Sequence, residues 1–376
     1  MGHDLHITRV PAADYIGWAD AFAALSQRAA DGNPHMSPAS VSAATATLRK
    51  AEAVVVLAAH AKNVLVGIWV LHITRDLWTA GQAVLEAPLV PVFDISSAPV
   101  LDAARKDEVL AAMLTAIAGS PDLPKLLRLP LLPAEGATFA AFERTASQRQ
   151  CQISTHELWI RPVMQARDEA GEVALARCLG SNRKKRMTQR RAFAKLGELS
   201  FQRARGRHAE AAFERFLVME DAGWKGAAGT SLLLSSKACD YHRAFVKALA
   251  ASDMVVIDAL LLSGEPVAMG LLIEAAGTVH YLKTTYDEQH ARHSPGRILA
   301  MDMLPHVVDA PGFRFFDSGT GSAVNPDIHI WSDTRLMGHT LVTCGTSRTQ
   351  LPLLMDRLRI WLRLQKRRFR QARGQA

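Results

Sequence analysis

The chain has 376 residues, 49% hydrophobic and 21% charged, with a formal charge of +8; this excludes wholesale disorder, exceeds what most single domains need and favours anionic partners in general rather than nucleic acid in particular. The longest apolar runs, 54–59 and 64–73, fall well short of the ~20 residues of a bilayer-crossing helix, and the opening MGHDLHITRV lacks the apolar stretch of a secretion signal. Cys151, Cys178, Cys239 and Cys344 lie far apart, with no CxxC or Cys/His pair at ligand spacing, so no metal site or disulfide framework is expected and a reducing cytosol is the simplest home.

Taken in order, residues 18–29 read as a helix, 33–38 as a Pro-rich break and the stretch up to 50 as a second helix. A hairpin follows over 54–60 and 64–73, turning at Lys62-Asn63. Residues 84–94 are extended but interrupted by Pro88 and Pro91, as in an edge or irregular strand. Helices over 102–118 and 136–149 then alternate with strands over 125–132 and 152–160. The second half repeats the plan, with helices over 172–195, 208–222 and 237–250. Its hairpin spans 254–262 and 267–274, turning at Gly264-Glu265-Pro266, and a strand at 279–286 leads into a further helix. Ser294 reads as the N-cap of that helix and Pro295 suits its first turn. Pro305 is expected to end the periodic run, with Pro311-Gly312 marking the exit. The fold class is therefore α/β (α+β), with mixed sheets flanked by helices.

The helix start at His293 to Arg297 combines free N–H groups with a guanidinium, which suits a phosphate. Around it, Trp224-Lys225-Gly226, Lys283, Tyr286-Asp287, Ser294-Pro295-Gly296 and Asp317 follow one another in an order that resembles the GNAT acyltransferase superfamily. More narrowly, it is similar to the branch holding the CelD/BcsL-like and FemABX proteins. The resemblance spans residues 157–346, about half the chain. It implies tandem GNAT-like domains, each a mixed, largely antiparallel sheet: a degenerate copy over 1–150, an acyltransferase copy over 151–348, and a basic amphipathic helix over 349–376. The first copy has Asp94-Ile95-Ser96-Ser97-Ala98-Pro99 where a Ser-Pro-Gly helix start would stand, so catalysis is assigned to the second.

Acetyl-CoA or another acyl-CoA is the implied co-substrate, its diphosphate held by His293, Ser294, Pro295, Gly296, Arg297 and Lys283. Lys283 near the end of a core strand needs either that anion or a salt bridge. Asp317 or Asp287 would accept the proton of the nucleophile and Tyr286 would protonate the departing thiolate. Asp317 follows an aromatic run, so partial burial would raise its pKa; the alternative is a cap on the turn into Gly319. Trp224 and Lys225 would form a platform for a sugar or diphosphate, or Trp224 would simply pack in the core, with Gly223 as the C-cap of the preceding helix.

The run Arg183-Lys184-Lys185-Arg186, with Arg190, Arg191 and Lys195, reads as a solvated helix face, followed by Arg203, Arg205 and Arg207. Near the C-terminus Leu354, Leu358, Trp361 and Leu362 recur at helical spacing among Arg357, Arg363, Lys366, Arg367, Arg368 and Arg370, as in a docking helix or one lying on an anionic membrane. The resemblance points first to a cytoplasmic N- or O-acyltransferase acting on a sugar or lipid-linked sugar of exopolysaccharide or cell-envelope synthesis, with peripheral contact at the inner membrane face. A FemABX-like aminoacyl-tRNA-dependent transferase and a non-catalytic module binding a cyclic dinucleotide are the alternatives. His329 and Asp333 share a spacing with histidine-dependent acyltransferases, but Thr334 replaces the expected glycine and the pair is set aside.

Overall fold

Strands form where β-branched and apolar residues run together, and caps start several of the intervening helices. The computed structural model describes residues 4–77, 81–89, 95–148, 151–321, 330–345, 353–355, 357–362 and 365. β1 (Leu5–Val10) leads into α1 (Ala12–Tyr15) and α2 (Ala19–Gln27). Asn33 caps a 3-10 turn by accepting from the His35 N–H, and Ser37 caps α3 (Pro38–Thr47) by accepting from Ser40. The first half continues with β2 (Val54–Ala61), β3 (Val64–Thr74), β4 (Val84–Glu86), β5 (Val100–Leu101), α4 (Lys106–Gly119), β6 (Leu126–Pro133), α5 (Gly136–Gln148) and β7 (Cys151–Gln165). The second half holds α6 (Gly171–Leu179), α7 (Arg183–Ala194), β8 (Leu199–Arg205), α8 (Gly206–Ala222), α9 (Trp224–Ala227), α10 (Ser236–Ala250), β9 (Val255–Leu262), β10 (Glu265–Ala275), β11 (Thr278–Tyr286), α11 (Pro295–Val308), β12 (Phe315–Asp317) and β13 (Asp333–Cys344).

These strands share one sheet in the order β1-β2-β3-β4-β6-β13-β7-β12-β11-β10-β9-β8, with β5 an extra partner of β3. The order is symmetric about its centre. β1 to β4 are antiparallel neighbours and β4 meets β6 in parallel through the α4 crossover; β8 to β11 repeat this, and β11 meets β12 in parallel through α11. Each half then lends its last strand to the other: β7 pairs with β12, β13 pairs with β6, and β7 and β13 pair along their length. The tandem plan expected from the sequence is present, with its closing strands exchanged.

One large core joins the halves: in the second it lies on the sheet face under α8 and α10, whereas in the first it takes in consecutive residues of β2 and β3 and so both faces; His35 stacks on Phe245 at 6.3 Å across the boundary. α6 and α11 cover the other face of the second half. Several expectations are corrected. The helix over 172–195 is broken at Gly180, whose φ of 48° favours glycine, and α7 starts anew beyond it. β4 is an internal strand, because its pairing is complete before Pro88; residues 90–94 lie outside the described residues. Pro305 lies within α11, where Leu304 and Val307 are fully buried and hold the last turn in place. β1, β8 and β13 were not foreseen.

Near the C-terminus, residues 353–355 and 357–362 are helical. Leu353 joins Val84, Leu126 and Leu341 in a small apolar cluster, while Leu354, Leu358, Trp361 and Leu362 are exposed. Arg363, Lys366, Arg367, Arg368 and Arg370 lie outside the described residues, as does His329.

Of the cationic residues that follow α7, Arg203 and Arg205 lie in β8 and Arg207 in α8. Arg203 forms two 2.7 Å bonds to Asp258 of β9, whose side chain is fully buried. Asp258→Ala should cost roughly 3 kcal/mol, the low end for a broken buried pair because Glu274 lies 3.7 Å from the same guanidinium. Urea denaturation would show it as a lower midpoint at unchanged slope.

Candidate active site

β12 is short, and its parallel pairing with β11 ends at His280↔Asp317. β11 continues to Tyr286, paired with β10 alone. The register with β10 shifts at Leu271/Leu272, leaving Leu282 as the extra residue of a bulge. Beyond the bulge Tyr281, Thr284 and Tyr286 line one cleft of about 340 Å³, closed on its other sides by Ser294, Gly296, Arg297 and Trp331. An unpartnered strand edge presents N–H and C=O groups. Here that edge borders the cleft, where donors of this kind could hold a thioester carbonyl and the oxyanion that develops from it.

The helix start differs in detail from the expected N-cap. Ser294 is left-handed (φ 55°, ψ 54°) and its side chain makes no capping bond. The N–H groups of Arg297 and Ile298 both turn to the Ser294 carbonyl, at 3.0 and 3.2 Å, and Pro295 has none. Gly296 follows Pro295 in the first turn, its backbone beside Thr284 and Tyr286 of β11. Asp287 accepts from the Gln289 N–H at 2.9 Å and caps the short turn before the helix, which accounts for its carboxylate. The His293 ring stacks on Phe193 of α7 at 4.8 Å and so faces that helix.

That stacking exposes what the sequence reading missed in α7. Phe193 is fully buried, and Arg190 forms a forked pair with Asp302 of α11 at 3.0 and 3.1 Å. The clamp sets Arg186 close enough that it, after burial, helps lower the pKa of Arg297. Two guanidiniums therefore crowd the start of α11, whose first turn has no acidic residue. The equivalent start of α4 carries Asp107 and Glu108, with Glu108 bonded to Arg105, and would repel an anion. Of these two helix starts, that of α11 is the one without carboxylates in its first turn.

Lys283 and Lys225 belong to a different structure. Glu220 of α8 is fully buried; its Oε1 accepts from Lys283 at 2.8 Å and Lys225 at 3.2 Å, and its Oε2 from the Leu232 N–H at 2.9 Å. Lys225 also donates to the Thr284 carbonyl at 2.6 Å. Of the two partners open to Lys283, the salt bridge is the one present. Burial works against ionisation of Glu220, yet Lys283, the Leu232 amide and Lys225 together hold its carboxyl below the usual range; burial lowers Lys225. Trp224 is 54% exposed, so the core alternative for it fails; Lys225 Nζ lies 5.9 Å from its ring centre. Gly223 is extended rather than left-handed, and the glycine that geometry demands is Gly226, where a Cβ would fall 1.8 Å from the Asp221 carbonyl oxygen.

Asp317 is 3% exposed, 3.3 Å from Arg161 Nη1, and accepts from the Gly319 N–H at 2.8 Å. Of the two readings given for it, the cap on the turn into Gly319 is present, and an ion pair with Arg161 accompanies it. Opposite it in register stands His280, buried and held down to about 4 by desolvation. Tyr281, the next residue, is also buried, which pushes its phenol well up and keeps it protonated at neutral pH. Tyr286 is raised by burial as well, but it sits at the helix-start end of the cleft, its ring beside Gly296. Alternating His and Tyr in an apolar strand was the one hint of the first two, and it reads equally well as core.

Residues 180–324 match the family model described as an acetyltransferase (GNAT) domain. None of the curated proteins matches the sequence. Among solved structures, FemX superposes with a TM-score of 0.58 at 10% identity, covering 90% of this chain and 97% of FemX. A conserved protein of unknown function from Bacteroides thetaiotaomicron gives 0.56 at 10% identity, covering 90% and 99%. The C-terminal domain of a putative lysylphosphatidylglycerol synthetase from Agrobacterium fabrum gives 0.54 at 10% identity, covering 92% and 96%. At that identity the likeness is one of fold, and it extends over both halves.

The Glu220 cluster makes a pH prediction. A carboxyl with a lowered folded pKa adds stability above its unfolded pKa and loses it as pH falls through the folded value. The melting temperature of Glu220→Gln should therefore lie well below wild type at pH 7, with the gap closing below about pH 4. A gap constant from pH 3 to 7 would contradict the assignment.

Proposed function

Because the second half is a GNAT acyltransferase domain, we propose that the protein moves an acyl group from an acyl-CoA, acetyl-CoA being the simplest, to an amine or hydroxyl of a sugar intermediate in exopolysaccharide or cell-envelope synthesis. The observation that carries this reading is the parting of β11 and β12 beside a helix start flanked by two arginines. The diphosphate would rest on the Gly296 N–H, Arg297 and Arg186, with the pantetheine arm along the open edge of β11. The thioester would then lie near Tyr281, where backbone donors polarise its carbonyl and the protonated phenol delivers a proton to the leaving thiolate. Tyr286, nearer the diphosphate, serves binding. Lys283 and Lys225 act through Glu220, fixing β11 against α8 and α9.

Peripheral membrane contact is part of the proposal. The C-terminal helix buries Leu353 and Ile360 and turns Leu354, Leu358, Trp361 and Leu362 outward, just before the Arg/Lys-rich end of the sequence. The alternative donor, an aminoacyl-tRNA, draws support from the exposed Arg183, Lys184 and Lys185, which extend the cationic surface away from the same helix start.

Thermal shift tests the donor. A ligand bound only by the folded state raises the melting temperature, by the equivalent of about 2.7 kcal/mol at a hundred times its dissociation constant. Acetyl-CoA or a longer acyl-CoA should produce such a rise in wild type. Arg297→Glu should abolish it and Arg186→Glu weaken binding about tenfold, each for loss of a charge-assisted contact. No response to any acyl-CoA, with stabilisation by charged tRNA or a cyclic dinucleotide instead, would overturn the acyl-CoA reading.

A further inference from the structure

A second cavity, of about 530 Å³, opens between the two halves on the sheet face away from α11. Val279 and Tyr281 pack toward α11, so strand alternation turns Thr278 and His280 to the opposite face, into this cavity. The first half supplies the other wall through Ala30, Asp31, Gly32 and Glu135. Its volume falls in the ~300–1,000 Å³ range of small-molecule sites.

The charges around this cavity are already committed. Asp31 pairs with Arg335 at 2.6 Å, Asp317 with Arg161 at 3.3 Å, Glu135 accepts from the Leu336 N–H at 2.9 Å, and Arg314 donates to the Gln27 carbonyl at 3.2 Å. His280 is not committed. It is 3% exposed, and neither ring nitrogen has a hydrogen-bond partner among the described residues. Buried polar groups are usually satisfied, and an exception calls for an explanation such as a functional role or a bound water, ion or ligand.

We propose that this cavity is the acceptor pocket and that it holds a polyhydroxylated ring of the monosaccharide class, recognised by the His280 imidazole. Desolvation keeps that imidazole neutral, with Asp317 opposing the effect and Arg161 and Arg335 reinforcing it. A neutral imidazole has one donor and one acceptor nitrogen, which match the two roles of a hydroxyl. The paired charges favour neither an anion nor a cation. Only the word acceptor rests on the acyl-transfer reading: His280 and Tyr281 are consecutive residues on opposite faces of the strand where β11 and β12 part, so a ring bound here lies just across the sheet from the thioester.

The test uses the full chain, isotope-labelled at histidine, titrated with D-glucose, D-galactose, D-mannose and D-glucosamine at millimolar concentrations. The His280 ring resonance is identified by its loss in His280→Gln. At least one sugar should shift it saturably in wild type. Ala30→Trp, which fills the cavity from the first half, should abolish the shift while leaving acetyl-CoA stabilisation unchanged. If no sugar moves the resonance, or the shift survives Ala30→Trp, the proposal is overturned. A shift that behaves as expected in a protein that ignores acetyl-CoA supports the sugar pocket and removes the donor reading instead.

Discussion

The site depends on where β11 and β12 stop pairing, and Arg161 fixes that point. Its side chain is fully buried in β7; it donates to the Thr320 carbonyl at 3.0 Å and the Ile95 carbonyl at 2.8 Å, and pairs with Asp317. The last residue of β12, the turn beyond it and a loop of the first half are thereby tied to one guanidinium. A buried cation with unmet partners is costly, so these three segments cannot drift apart independently. Gly319 completes the turn at φ 61°, and a Cβ there would fall 2.5 Å from the Tyr281 carbonyl oxygen. The chain after β12 therefore crosses close over the vertex of the cleft at a position that tolerates no side chain.

The same sheet plan occurs twice, yet the two crossover helices differ at their starts, and the difference is chemical rather than topological. Both crossover helices connect strands that pair in parallel. At α4 the first turn is acidic; at α11 it is bare of carboxylates and faces the arginines of α7. The first copy contributes in another way. Exchange of β7 and β13 welds the halves into one sheet, and the loops of the first half then wall the cavity in front of His280.

Much of this was legible in the sequence because it is local. The two hairpins, the strand at 279–286, the helix at its end and the doubling of the plan all follow from alternation, turns and caps over short windows. What escaped depends on contacts between distant residues. β13, with Asp333, Thr334, Arg335 and Gly338 among its apolar residues, becomes a central strand only because β6 and β7 flank it. Glu220 meets Lys283 across 63 positions, so no local pattern marked the lysine as paired. α7 reads as a solvated basic face until Phe193 and Arg190 anchor it on α11. Cys151 and Cys344, remote in sequence, stand opposite each other on β7 and β13.

The bulge at Leu282 sorts the chemistry of β11. In an unbroken strand Tyr281, Lys283 and Thr285 would share one face, because side chains alternate with a period of two. An ammonium would then stand in the cleft beside Tyr281, and Tyr286 would point away from it. The extra residue resets the alternation: Tyr281, Thr284 and Tyr286 line the cleft, whereas Lys283 turns to Glu220 on α8. One inserted residue thus keeps an ammonium out of the cleft, aligns two phenols along it and uses the displaced lysine to pin the strand from behind. The Ser-Pro-Gly turn locates the site in the sequence, but this single-residue shift decides which side chains occupy it.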